Sequence, residues 1–314
     1  MSPSLAVPAA QFAENRSPHS GILVGTNQGV AVMDGKLWDL PAGLRGDYAA
    51  ARPDFTLPQR WADYADADHG TWRRLYHRQA ALLPRHAASA FRDGLAQLDF
   101  AGGIPDFALA SSRLRALTGW TLVAVPGLIP DGAFFGHLAE RHFPVTRWIR
   151  RPEELDYIVE PDIFHDAFGH VPLLTQPDFA DVLEAYGRLG EQAARIGALK
   201  PLARLYWHMV EFGLIREQGM IRAYGAGILS SSAETVHATE SRTPRRLRFD
   251  VRRVLRSDYF IDDLQPTYFV IESYAELFGA MRDLPALLAE ARDAEPIPPG
   301  AGDPMDGPAG PSIG

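Results

Sequence analysis

From Phe55 onward, apolar residues recur at helical spacing along most of the chain. Over residues 68–83, Trp72, Leu75, Tyr76, Leu82 and Leu83 share a face with Gln79, and Pro84 ends the run. Residues 87–98 and 105–117 predict two more helices, the second closed by Gly119. Residues 131–142 (with Asp131 as a cap), 161–170, 178–196 and 201–218 extend the series. Thr243-Pro244 predicts a helix start with proline at its first position, and 273–290 a terminal helix pair broken near Pro285. Strand signals are few and short: 120–125, 145–149, 259–261 and 267–271, with a glycine-broken, sheet-like stretch at 221–229. The pattern predicts a mainly α fold with a few short β-strands. It forms one domain over residues 53–294. Residues 1–52 read as an N-terminal extension, partly loose, and 295–314, with six prolines, as a flexible tail.

Composition narrows the chemistry. Acidic residues outnumber basic ones by 39 to 31, for a net charge of −8, which argues against a nucleic-acid partner. With no cysteine, thiolate metal sites, iron–sulfur clusters and disulfides are excluded, so any metal must be held by His, Asp or Glu. The longest run free of charged residues, 17–33, carries Pro18, Asn27, Gln28 and three glycines, which does not suit a membrane span. No basic segment followed by an apolar run opens the chain, so the expected location is the cytoplasm.

Two stretches could carry a reaction. In Glu160-Pro161-Asp162-Ile163-Phe164-His165-Asp166-Ala167-Phe168-Gly169-His170-Val171-Pro172, two histidines lie five apart. On a regular α-helix that spacing separates them by roughly 140° of azimuth, unless Gly169 and the approaching Pro172 loosen the geometry. The pair reads either as metal ligands or as one core and one surface histidine. His137 and His142 show the same spacing. Glu211 lies in a run that is apolar nearly all round, 205–215, where a buried carboxylate needs an arginine or a metal. Two His and one carboxylate compose the facial triad of non-haem Fe(II) oxygenases, or a His2Glu catalytic zinc site; the residues alone leave both open.

The runs VPGLIP (125–130), WIRRPEELDYIVEPDIFHDAFGHVPLL (148–174), YWHMVEFGL (206–214) and YGAGILSSSAE (224–234) are more specific. Together they resemble the pterin-dependent aromatic amino acid hydroxylases, above all the bacterial members, in the family's order and over roughly residues 55–288. The resemblance implies a monooxygenase that converts L-phenylalanine to L-tyrosine with dioxygen, Fe(II) and a tetrahydropterin. Tryptophan or tyrosine hydroxylation is the alternative within the family. It implies that His165, His170 and Glu211 hold the iron. Arg150 matches the residue that binds the amino acid's carboxylate, where a guanidinium fork suits a bidentate contact. Phe134 matches the ring that stacks on the pterin, with Ile129 and Asp166 nearby. Trp207, Phe212, Gly227 and Ser230 match the substrate pocket, and Tyr157 an active-site tyrosine on a mobile loop. Ile158 departs from the threonine of the animal enzymes. Val270 stands near where the family sets its ring preference, and its apolar side chain favours an unsubstituted ring. The absence of a regulatory domain and of a C-terminal heptad helix implies a monomer.

Overall fold

The computed structural model describes residues 44–158 and 160–306. Helix α1 (Asp66–Ala80) buries Trp72, Leu75 and Gln79 on one face. It stops before Pro84, which falls in the first turn of the short α2 (Leu83–His86), so the proline opens a helix where it was expected to end one. Helices α3 (Ser89–Leu98) and α4 (Phe107–Thr118) follow. The Asp106 side chain accepts from Ala108 N at the start of α4, and Gly119 closes it at φ 81°.

Strand β1 (Thr121–Val125) pairs in parallel with β2 (His142–Thr146) across α5 (Asp131–Ala139). The helix is shorter than its pattern suggested, and the second strand lies at His142–Thr146, not 145–149. Asp131 falls in the first turn of α5 rather than at its cap, which is Pro130. The long helix α6 (Pro177–Arg195) packs along α5. Its glycines are contact points rather than breaks. A Cβ at Gly187 would meet Ala139 N at 2.3 Å, and one at Gly190 the Phe135 ring at 2.2 Å.

The expected long helix runs as α7 (Leu199–Tyr206) and one π-helical segment to Glu211, and ends there. Residues 214–217 turn out to be a strand, β3 (Leu214–Glu217), in an antiparallel hairpin with β4 (Met220–Ala223). The two-residue turn is Gln218-Gly219, with φ 52° and 78°, the left-handed pair that such hairpins need. Helices α8 (Ala226–Leu229) and α9 (Ser232–Glu240) come next. The segment after Pro244 is strand β5 (Arg245–Arg248) instead of a helix. Arg246 explains it: the guanidinium donates to the carbonyls of Ala238, His237 and Ser241, which ties the strand to the end of α9. Helix α10 (Val251–Arg256) leads into an irregular loop. Residues 259–261, expected as a strand, lie in this loop. Strand β6 (Thr267–Ile271) completes a sheet of order β4-β3-β6-β5. Helices α11 (Tyr274–Met281) and α12 (Leu284–Asp293) close the domain. One continuous apolar core joins all these layers. No helix among the described residues is long and apolar enough to cross a membrane.

Both flanks of this domain are packed where they are described. At the N-terminal side, Arg45 pairs with Glu154 and lies 5.2 Å from the Trp148 ring centroid. The expectations for residues 1–43 and 307–314 lie outside the described residues. The C-terminal segment expected to be loose is instead docked as far as Asp306. Ile297 N donates to Arg256 O at 2.7 Å, and Asp258 N to Ile297 O at 2.8 Å. Asp306 accepts from the buried Arg253 at 2.7 Å and from Arg245 at 2.9 Å, while the Ala301 carbonyl accepts from both arginines at 2.9 Å. Prolines limit the donors this segment must satisfy, and its two aspartates answer the arginines of β5 and α10. Deleting residues 295–314 removes the Asp306 and Ala301 acceptors of Arg253 and opens its guanidinium to water, which is expected to lower stability by about 1.5–3 kcal/mol. Differential scanning calorimetry of the truncated protein checks this; an unchanged Tm would contradict the docking.

Candidate active site

His165 is the second and His170 the last residue of a π-helical segment, Phe164–His170. A π turn closes on i→i+5, so residues five apart stack over one another, and the spacing that looked wrong for an α-helix becomes right. Glu211 ends a second π-helical segment, Trp207–Glu211, at the end of α7. Across the two segments the donor atoms of His165, His170 and Glu211 all lie within 4.8 Å of one another. The two imidazole Nε2 atoms are 3.3 Å apart; Glu211 Oε2 is 3.5 Å from His165 Nε2, and Oε1 is 3.1 Å from His170 Nε2. That last contact is close but misaligned, so Oε1 is buried without a hydrogen bond.

Three donors facing one point, one of them an orphaned carboxylate oxygen, fit a divalent cation better than they fit one another. Burial pushes the His165 imidazole below its ordinary pKa, against a partial pull from Glu211. Burial opposes charge on His170 too, but there the Glu211 carboxylate prevails and raises it. Burial likewise acts to raise Glu211, and the two histidines override it and hold the carboxylate charged. Ser230 Oγ lies 2.9 Å from His165 Nδ1, which fixes that ring with Nε2 toward the cluster. His137 makes no part of this: its Nε2 bonds Asp54 O at 2.8 Å, and His142 opens β2.

His165 and Glu211 line a cavity of about 340 Å³. Arg150, Tyr157, Trp207, Phe212, Gly227 and Ser230, singled out from sequence, all line it as well. A Cβ at Gly227 would meet the Phe212 ring at 2.9 Å and Glu211 O at 3.2 Å, so a larger residue there would push the ring aside. Val270 does not belong here. It is 1% exposed in β6, where it is paired with Leu214 and Arg248, and the strand is covered on both faces. The apolar wall comes instead from Ile261 and Leu264, in the loop after α10.

Arg150 is held differently from expectation. Its Nε and Nη2 donate to Asp162 Oδ2 and Oδ1 at 2.9 and 2.8 Å. The same carboxylate, fully buried, accepts from the backbone of Arg150 at 2.9 Å and of His165 at 3.0 Å. Burial would raise the Asp162 pKa, but the Arg150 charge overrides it and lowers it. The side-on fork is thus taken within the protein, and a carboxylate in the cavity is left the Nη1 end. Asp162 was visible in the motif, three residues before His165, but was not selected as a site residue.

Phe134 and Ile129 do not line this cavity. Half-buried Phe134 meets the Tyr206 ring edge-on at 5.5 Å, and Tyr206 is 6.3 Å from the His170 ring, so Phe134 approaches the cluster from another side. Asp166 Oδ2 accepts from Thr146 N at 2.7 Å, and burial raises its carboxyl pKa against the two histidines. The Tyr206 hydroxyl is buried without a hydrogen-bond partner. Tyr206 opens the YWHMVEFGL motif, but nothing in the sequence marks its hydroxyl as unpartnered.

Residues 54–291 match the model of the biopterin-dependent aromatic amino acid hydroxylases. The chain belongs to this family. It is 53% identical to phenylalanine-4-hydroxylase of Ralstonia nicotianae over 268 residues, covering 85% of each chain. It is also 53% identical to that of Chromobacterium violaceum over 252 residues, covering 80% of this chain and 84% of the relative. The iron- and phenylalanine-bound crystal structure of the Chromobacterium violaceum enzyme superposes with a TM-score of 0.76 at 51% identity, over 80% of this chain and 92% of the other. The family model's match ends short of the docked segments at 44–53 and 295–306, which flank it.

One buried group near this hydroxylase site gives the protein a pH signature. His208 Nε2 donates to Ser257 O at 3.0 Å, and its Nδ1 is buried without a partner. Burial lowers its pKa from 6.5 to about 4. A depressed histidine stabilises the fold above its unfolded pKa, and that contribution is lost as pH falls from 6.5 toward 4. The full loss is about 3 kcal/mol. The wild-type Tm minus that of His208→Gln is expected to shrink on acidification through this window. A difference independent of pH would contradict a buried neutral imidazole.

Proposed function

We propose that the chain is a phenylalanine 4-monooxygenase that hydroxylates L-phenylalanine to L-tyrosine with dioxygen, Fe(II) and a tetrahydropterin. The observation that carries this is the buried His165–His170–Glu211 cluster beside a cavity with both apolar and polar walls, among them the buried guanidinium of Arg150. His165, His170 and Glu211 hold the iron. Bound iron and reduced pterin supply the dioxygen chemistry. The protein supplies placement. Ser230 orients His165, and Asp162 holds both Arg150 and the backbone of His165. Arg150 takes the substrate's carboxylate with the edge that Asp162 leaves open. Trp207, Phe212 and Gly227 enclose the ring, and Tyr157 lies at the mouth. Phe134 would stack on the pterin, and Ile129 and Asp166 would help to hold it. The protein acts as a monomer in the cytoplasm.

Ile261 and Leu264 bear on ring preference. They themselves offer a phenol no hydrogen-bond partner, although Asp262 and Asp263 between them also line the cavity, so a tyrosine hydroxyl seated against Ile261 and Leu264 would lose its contacts with water. An apolar wall rejects an added hydroxyl only modestly, by roughly a hundredfold. Comparing kcat/KM for the three aromatic amino acids is expected to rank phenylalanine first, tryptophan second and tyrosine last. Faster turnover of tyrosine or tryptophan would place the protein elsewhere in the family.

A further inference from the structure

Gln265 is 1% exposed and does not line the cavity, yet its side chain joins two of the cavity's walls. Oε1 accepts from the Trp207 indole Nε1 at 3.3 Å. Nε2 donates to the carbonyls of Phe260 at 2.6 Å and Asp263 at 3.1 Å. The partners fix which end of the amide is which, because an indole N–H only donates and a carbonyl only accepts. Residues 260–264 have no regular structure, and Phe260, Ile261 and Leu264 are exposed. With so little apolar burial, such a loop depends on its few tethers. The tether is itself anchored. Gln265 N donates to Glu234 Oε1 at 3.2 Å, His237 Nε2 lies 3.2 Å from Gln265 O, and Glu234 also accepts from the Tyr268 hydroxyl. Trp207 is stacked on Tyr259 with ring centroids 4.2 Å apart.

We propose that Gln265 is a positioning residue for amino-acid recognition, setting the distance between Trp207 and the 260–264 loop and so the width of the ring-binding part of the cavity. This rests on the reading of the cavity as the phenylalanine site. Gln265 acts through Trp207 and the loop. None of its hydrogen bonds reaches His165, His170 or Glu211, so metal binding and the chemical step do not depend on it. A loop released from the amide must be ordered each time a substrate binds, which weakens affinity.

Gln265→Met keeps the length of the side chain without donor or acceptor. The loss of three hydrogen bonds is expected to raise the Kd for L-phenylalanine, measured by equilibrium dialysis, by roughly tenfold or more. KM should rise in parallel, while kcat stays within about threefold and iron content is unchanged. If this variant does not fold, Gln265→Glu carries the test. It keeps an oxygen for Trp207 and sets the other against two carbonyl oxygens, so it must show the same selective rise in KM. An unchanged Kd and KM with only a lower Tm, or a loss confined to kcat, would overturn the proposal. Failure of the wild-type protein to bind phenylalanine would instead overturn the reading of the cavity. The same comparison of variants is then made on whichever aromatic amino acid binds.

Discussion

A Glu211→Ala protein is expected to lose its iron and its hydroxylation together while keeping its helical fold. Glu211 is the one carboxylate among the three convergent donors, and it supplies the negative charge that offsets a divalent cation in a buried place. Residues that merely orient metal ligands are worth roughly 10–100-fold in metal affinity or activity, so removing a ligand should exceed a hundredfold in both. His165→Ala and His170→Ala should behave likewise. His137→Ala is the control: it shares the five-residue spacing with His142 but bonds Asp54 O and is not in the cluster. Iron analysis after loading, with circular dichroism for the fold, reads the outcome. A Glu211→Ala protein with full iron and turnover would dismiss the three-residue site.

Arg150→Ala should strike both stability and binding. The guanidinium and Asp162 are both buried, so its removal strands a carboxylate that keeps only two backbone N–H partners. Breaking such a pair costs about 3–5 kcal/mol. Substrate affinity should fall by a further 2–4 kcal/mol, roughly, if the carboxylate contact is desolvated. Asp162→Asn separates the two effects. It keeps an acceptor for the backbone and weakens only the hold on Arg150, so affinity should fall less than in Arg150→Ala. Denaturant unfolding and phenylalanine binding, measured on both variants, distinguish them. An Arg150→Ala protein with unchanged affinity for phenylalanine would mean that the carboxylate is held elsewhere.

Helices α3, α4 and α6 could be read from apolar spacing because each buries one face of an ordinary 3.6-residue wheel. The metal-ligand spacing could not, because it depends on π turns, whose period no α-helical wheel represents. The β3–β4 hairpin was hidden by an apolar run that continues unbroken from the helix before it. Its Gln218-Gly219 turn was the available signal. Strand β5 is set by where the Arg246 guanidinium finds carbonyls, which is a tertiary matter. Proline content suggested that 295–306 is loose, but Asp303 and Asp306 find arginines far away in sequence. Arg150, Tyr157, Trp207, Phe212, Gly227 and Ser230 were legible through family motifs; Ile261 and Leu264 were not, and the residue expected in their place was Val270. Its apolar character was right, but it lies in a covered strand, and the loop residues Ile261 and Leu264 face the cavity in its place.

The most direct test is aerobic turnover of L-phenylalanine by the protein supplied with Fe(II) and a tetrahydropterin under ¹⁸O-labelled dioxygen, with the amino acid product identified by mass. Tyrosine carrying one labelled oxygen, formed only when both iron and pterin are present, is the predicted result. No labelled tyrosine, together with hydrolysis of peptides or esters by the zinc-loaded protein without dioxygen, would contradict it.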